Sequence, residues 1–445
     1  MERVDERLRA WWVRGPAPGK RGVFLHERLV AVGSEGISVR KLGGNRAGEM
    51  RITRFLRNPS VTPAAMVEAA RERLLPLCAG RHVLAIQDTT DLKTDPNGGT
   101  GLFLHPLIAA DAGSGALLGL ADAALLPRTG GARGLRQTRP HADKESRRWL
   151  DGIKAAASLG EAGATSVTVI ADREGDVYED FACRPDGVEV LIRAGQDRAL
   201  VGGGRLFSCL DGTRAAGSFL VRLPSAPGRP AREARLEIRF RRVEIARPAS
   251  RKGKEEFKRL PPSVVLSFVE AREIDPPRGQ TAAHWRLLTS HEVETRKDAI
   301  RIAGFYRQRW LIEQVFRTMK TKGFDVGAVR LARNGPYENL AMVTTIAAIT
   351  VLQLVRERDG EAGRPLRDAL GEDDGPILAE ISKSLEGKTQ KQKNPHKQAT
   401  LAFATWVLAR LGGWTGYYGK PGPIVILNGL VRYQAIKLGW ELRDV

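Results

Sequence analysis

The sequence predicts an α/β fold interrupted by a β-rich segment, with small helical domains at both ends. Three observations predict it. Apolar, β-branched runs that end on a carboxylate occur twice, "HVLAIQD" to Asp88 and "SVTVIAD" to Asp172, as buried strands with polar exits do. Helical stretches such as "DKESRRWLDGIKAAASLGEAG" alternate with these runs, and strand–helix alternation indicates a layered α/β architecture. Over residues 205–259 the texture then changes to Pro, Gly and alternating strands such as "ARLEIRF", with fifteen Lys or Arg against six Asp or Glu.

Taken in order, residues 1–75 read as a small helical N-terminal domain. Asn58-Pro59 breaks the chain, and Ser60 or Thr62 can cap the helix that follows. Residues 76–358 form the α/β domain. Its strands begin with "RHVLAIQDTTDL", "LFLHPLIAAD" and "GALLGLADAALL", the last two joined by Gly-Ser-Gly turn chemistry. The β-rich insertion occupies about 205–290 and ends in "SVVLSFVEARE" and "HWRLLTS". The apolar stretch Leu340–Leu354 carries several threonines and is short for a membrane span, so it reads as a buried core helix. Gly360 to Lys397 is polar and reads as an exposed basic linker. Residues 359–445 as a whole form a C-terminal helical domain, with two amphipathic helices in "LAFATWVLARLGGW" and "GLVRYQAIKLGW".

Charge narrows the partner. The chain has 71 Lys and Arg against 51 Asp and Glu, a formal net charge of +20, which favours a polyanion, nucleic acid ahead of an acidic membrane surface. Three cysteines without a CxxC pair argue against a disulfide framework or a structural zinc site and fit a reducing cytoplasm. The first residues lack the apolar run of a signal peptide. A soluble, cytoplasmic protein with no membrane partner is expected.

The candidate chemistry centres on "FYRQRWLIEQVFRTMKTKG", Phe305–Gly323. At about 100° per residue, Arg309, Glu313, Arg317 and Lys320 gather in one stripe beside Tyr306, next to an apolar stripe. Alone, the stripe fits a solvated face with i,i+4 ion pairs equally well, and each aspartate alone fits a turn or cap. Together the three acids say more. Asp88 and Asp172 leave strand ends, where open α/β folds place their sites, and Glu313 follows on a helix. Carboxylates are hard ligands, suited to Mg²⁺ or Mn²⁺ and not to zinc. Two such ions about 3.5–4 Å apart can clamp a phosphodiester displacement, with the surrounding cations holding the flanking phosphates.

The spacing Tyr306-x2-Arg309-x3-Glu313-x6-Lys320 resembles the Y-R-E-K signature of the insertion-sequence-four family of DDE transposases. "AIQDTTDL", "ADREGD", "DKESRRWL", "RFLRNPSVT", "EIDPPRGQTAAHWRLLTS" and "ARLGGW" resemble further landmarks of that family, in order, from about Arg51 to Trp440. The resemblance implies a ribonuclease-H-like catalytic core with a β-strand insertion. It implies Asp88, Asp172 and Glu313 as metal ligands, with two Mg²⁺ or Mn²⁺ ions. Tyr306, Arg309 and Lys320 would contact double-stranded DNA at the transposon end. Trp285 would stack on a base flipped out during hairpin formation, although alone it fits strand packing. Arg54 would bind the end from the N-terminal domain, and Arg193 would be a basic neighbour of the second aspartate. The implied reaction frees a 3′-hydroxyl, forms and opens a hairpin, and joins the end to target DNA. A homodimer on DNA is implied, in a bacterial cytoplasm at the nucleoid. Residues 1 to about 50 do not follow the family's end-recognition segment. Two other readings are a nuclease that cuts without joining and a non-catalytic inhibitor form that binds DNA.

Overall fold

The computed structural model describes residues 29, 37–43, 45–92, 102–127, 147–223, 230–249, 258–320, 323–329, 331, 335–371, 373–417 and 419–443. Most of the N-terminal segment expected to recognise DNA ends, and residues 250–257 of the basic run, lie outside the described residues. The strands are β1 (His82–Gln87), β2 (Thr90–Leu92), β3 (Leu102–Asp111), β4 (Leu117–Pro127), β5 (Ser166–Ala171), β6 (Val188–Arg193), β7 (Gly217–Leu223), β8 (Arg232–Ala246), β9 (Ser263–Glu273) and β10 (His284–Thr289). The chain divides into two compact units, one holding residues 80–88 and 131–310, the other residues 1–79, 89–130 and 311–445. This partition cuts across the linear division at 75 and 358, because both units draw on the middle segment.

In the first unit β1, β5 and β6 run parallel. β1 and β5 are buried at every position after the first, the near-continuous apolar run of a strand covered on both faces. The β-rich segment does not form a sheet of its own. β10 pairs antiparallel with β6, and β9, β8 and β7 follow antiparallel in turn. β8 alternates between buried Ala234, Leu236 and Ile238 and more exposed Arg235, Glu237 and Arg239, as a strand with one wet face does. Val221, Leu223, Leu236, Ala271 and Ala283 form a buried cluster on which Phe219 and Trp285 pack. The helix Arg296–Arg307 then starts at a capping box, Thr295 and Asp298 bonding each other's backbone amides.

In the second unit β2, β3 and β4 form an antiparallel meander. Thr62 caps the helix Pro63–Cys78 by accepting from the Ala65 amide. The helix Pro336–Glu357 is long and apolar enough to cross a membrane, but 94% of its apolar window is buried inside the protein. Several of its polar groups are bonded internally: Thr344, Thr345 and Thr350 donate to carbonyls four residues back, and Asn339 Nδ2 donates to Leu56 O and Val61 O. A buried polar group left unpaired would cost about 1–3 kcal/mol, so these bonds let the helix serve as a core element. The helix Leu401–Leu411 is buried from Leu401 to Ala409, where a one-sided amphipathic helix was expected. The stretch from Gly360 to Lys397 is not all linker either. The helix Asp374–Leu385 turns Ile377, Leu378 and Ile381 inward, a helical spacing hidden by the polar composition around it.

The expected continuous helix over Phe305–Gly323 is broken. One helix ends at Arg307 and the next runs Trp310–Met319. Between them the Gln308 and Arg309 amides bond three residues back, to Phe305 O and Tyr306 O. This tightens the turn and shifts the angular order read from a uniform wheel.

Candidate active site

β1 and β5 pair in register from His82 opposite Ser166 to Ile86 opposite Ile170. Carried two residues beyond its last pair, the same register would set Asp88 against Asp172, each one residue past its strand. Neighbouring strands lie about 4.8 Å apart, and partners at one level share a face. Both aspartates therefore follow the same end of two adjacent parallel strands.

Local chemistry fixes Asp172. Its backbone is still extended, and Oδ1 accepts from the Glu174 amide at 2.8 Å, capping the turn Arg173–Gly175. A side chain at Gly175 would come within 2.7 Å of the Ala171 Cβ and 3.1 Å of the Trp149 ring, so the turn requires glycine. The next aspartate, Asp176, is 2% exposed. It accepts from the Gly195 and Gln196 amides, both at 2.8 Å, and from Arg198 Nε at 3.0 Å. Arg198 is itself buried. This pair ties the exit of β5 to the exit of β6 and so holds the loop that carries Asp172. The sequence reading passed over both residues. The last acid of "ADREGD" is the available signal, but its partner comes 22 residues later.

Around Asp88 the first unit supplies cations. Arg309 Nη1 donates to Asp88 Oδ2 at 2.8 Å, with the side chains 17% and 15% exposed. Tyr306 packs edge-on to Trp285, ring centroids 5.7 Å apart. Burial pushes the Tyr306 phenol up, while the guanidinium groups of Arg309 and Arg193, the latter hydrogen-bonding to it, pull the other way. At 5% exposure, Tyr306 offers little surface for a DNA contact in this arrangement. Arg193, at the end of β6, also donates to His284 O at 2.9 Å. The structure thus brings Asp88, Asp172, Arg193, Trp285, Tyr306 and Arg309 into one unit.

The remaining expected residues belong to the other unit. Glu313 lies in the first turn of the helix Trp310–Met319. Lys320 Nζ donates to the Thr90 hydroxyl at 2.7 Å. Arg54 sits in the last turn of the helix Arg46–Leu56. Among the described residues no group of three or more His, Cys, Asp or Glu side chains is arranged to hold a metal ion. Glu313 belongs to a different unit from Asp88 and Asp172, and one Asp88 oxygen is taken by Arg309. The donor set of Asp88 and Asp172, oxygen only and register-matched, still fits a hard divalent cation in kind.

Deeper in the same strands, the Thr168 hydroxyl lies 2.8 Å from His82 Nε2 and 2.7 Å from His291 Nε2. One hydroxyl carries one proton, so Thr168 donates to at most one of the two imidazoles and accepts from at least one. The Phe305 ring meets His82 edge-on at 4.9 Å, which links this network to the helix bearing Tyr306. Burial holds His291 down at about 4, below its usual 6.5. Between those values the unfolded chain binds a proton that the folded chain refuses. Stability from this group is therefore complete above pH 6.5 and is lost as pH falls toward 4, at up to about 1.4 kcal/mol per pH unit. Urea unfolding at pH 7.0 and 5.0 checks this: His291→Gln should reduce the difference between the two pH values, and an unchanged difference would contradict the assignment.

With this geometry in view, a family model described as a transposase DDE domain matches residues 213–349. The matched segment includes Trp285, Tyr306, Arg309, Glu313 and Lys320, and stops short of Asp88 and Asp172. The match supports a DDE transposase, for which DNA is the implied partner.

Proposed function

We propose that this chain cuts a mobile element from donor DNA and joins its 3′ ends to target DNA, as a DDE transposase of the insertion-sequence-four kind similar to the transposon-five transposase. The observation that carries the proposal is the register-matched pair Asp88 and Asp172 at adjacent strand exits, set beside a family match that contains Glu313. Asp88, Asp172 and Glu313 would hold the divalent ions, Mg²⁺ or Mn²⁺, in a ribonuclease-H-like core. When bound, such ions supply Lewis-acid stabilisation of charge at phosphorus.

The chain's own residues do the rest. Arg309 screens Asp88 before DNA arrives and then offers its guanidinium to a phosphate, for which its planar fork is suited. Lys320 gives a second, point-like cation. Each step exchanges one phosphodiester bond for another or for water, so positioning and charge dominate the barrier. Water first frees the 3′-hydroxyl, which attacks the opposite strand to close a hairpin. Water reopens it, and the freed end then attacks target DNA. A homodimer with each subunit acting on the end held by the other is part of this reading, as are Arg54 and Arg193 on the end DNA.

A strand-transfer assay separates the alternatives. A transposase inserts a cleaved labelled end into a second duplex; a nuclease yields free ends only, and an inhibitor form yields neither.

Trp285 provides a stepwise check. If it stacks on a flipped base, Trp285→Ala should slow hairpin formation by about fivefold or more, since such stacking is worth ~1–3 kcal/mol, and should leave the first nick nearly unchanged. Equal slowing of both steps would make Trp285 solely a packing residue on the β7–β10 cluster, a role it also fills.

A further inference from the structure

The second unit carries a cavity that the proposed chemistry does not use. Its volume is about 390 Å³, and its lining includes Trp406, Trp414, Tyr417, Lys391, Lys393 and Arg358. Trp406 forms a buried floor, with the Arg410 guanidinium 5.6 Å from its ring centre. The loop above is held in shape. Gly413, Gly416 and Gly419 take positive φ, Arg410 donates to the carbonyls of Trp414 and Thr415, and Trp414 Nε1 donates to Gly419 O at 3.1 Å. The Trp414 ring is thereby held at the opening, and Tyr417 beside it is 52% exposed.

The charge at the cavity is equally specific. Its acid, Asp359, is already paired with Lys420 at 2.7 Å. Lys391 and Lys393 are exposed and have no side-chain hydrogen bond or ion pair among the described residues. Arg358 at the wall is already engaged, donating to Pro421 O at 3.0 Å and pairing with Asp359 at 3.8 Å. An exposed and a half-buried ring beside the uncommitted Lys391 and Lys393 match a ligand that is both planar and anionic. An acidic peptide would satisfy the lysines but leave the rings unexplained. In a duplex, base faces are covered by their neighbours, so a ring can stack only on an unpaired base.

We propose that this cavity binds one unpaired nucleotide of a DNA strand, its base on Tyr417 and Trp414 and its flanking phosphates on Lys391 and Lys393. The inference rests on the proposed function only for DNA as the polyanion.

The test uses the full chain and an oligothymidylate bearing one 5-bromodeoxyuridine, crosslinked by ultraviolet light and mapped by mass spectrometry of tryptic peptides. The expected adduct lies on the peptide of residues 411–432. Tyr417→Ala should reduce it about fivefold or more. The Lys391→Gln/Lys393→Gln double variant should weaken binding and lower the slope of log affinity against log salt by about 1.4, for two phosphate contacts on a single strand. Unlabelled single strand should compete, whereas blunt duplex, tripolyphosphate or polyglutamate at equal charge should compete poorly. Adducts confined to other peptides would overturn the proposal. So would equal competition by tripolyphosphate, meaning an anion site only, or stronger competition by polyglutamate, meaning a protein-binding site. Asp172→Asn separates the two readings: its adduct should persist when cutting is lost. In the wild-type chain, cutting without an adduct sinks the cavity assignment alone, and an adduct without cutting sinks the transposase reading alone.

Discussion

Asp172→Asn is expected to abolish cleavage of element-end DNA while leaving fold and end binding in place. Asparagine caps a helical turn about as well as aspartate, so the bond from Oδ1 to the Glu174 amide survives the change. What is lost is the negative charge beside Asp88 that a divalent ion requires. Loss of several kcal/mol of charge stabilisation corresponds to at least about 10²–10³-fold in rate. Gel-shift affinity for the DNA end should change little, because the Lys and Arg side chains carry that binding. Cutting at wild-type rate would remove Asp172 from the catalytic set. Loss of both cutting and binding would point instead to a structural role.

The second large effect is on stability. Arg198→Ala should destabilise the first unit by about 3–5 kcal/mol, the usual cost of leaving a buried charge without its partner. Asp176 would keep its two amide donors, Gly195 and Gln196, but lose Arg198. Since whole proteins are held by only about 5–15 kcal/mol, urea denaturation should show the loss clearly. Replacing both residues with apolar ones should recover part of it, because a buried ion pair is often replaceable as a unit. A single variant as stable as wild type would mean that the loops beyond β5 and β6 do not depend on this pair.

The strands were legible because "HVLAIQ" and "SVTVIA" are short apolar runs with no competing helical period. Their mutual register was not, since it depends on pairing between segments 84 residues apart, as His82 and Ser166 are. The acids at their exits were legible as residue types in suggestive places, and only the fold makes two of them neighbours. The break at Gln308–Arg309 carries no Gly or Pro signal, so a uniform helix was the natural reading of "YRQRWLIEQVF". The helix Asp374–Leu385 was masked by surrounding Lys, Gln and Asp. Asp176 and Arg198 escaped notice because a buried ion pair is defined by partners that sequence spacing does not link. The cavity residues Lys391, Trp406 and Tyr417 are likewise scattered until the fold collects them.

The proposed chemistry requires Asp88, Asp172 and Glu313 to share divalent ions on bound DNA. Affinity cleavage probes this directly: Fe²⁺ is loaded in place of Mg²⁺ on the DNA-bound protein, and ascorbate with peroxide is added to cut the backbone beside the iron. Cuts near residues 88, 172 and 313 together, each suppressed by excess Mg²⁺, are predicted. Cuts near 88 and 172 with none near 313, or no Mg²⁺-sensitive cut at all, would contradict it.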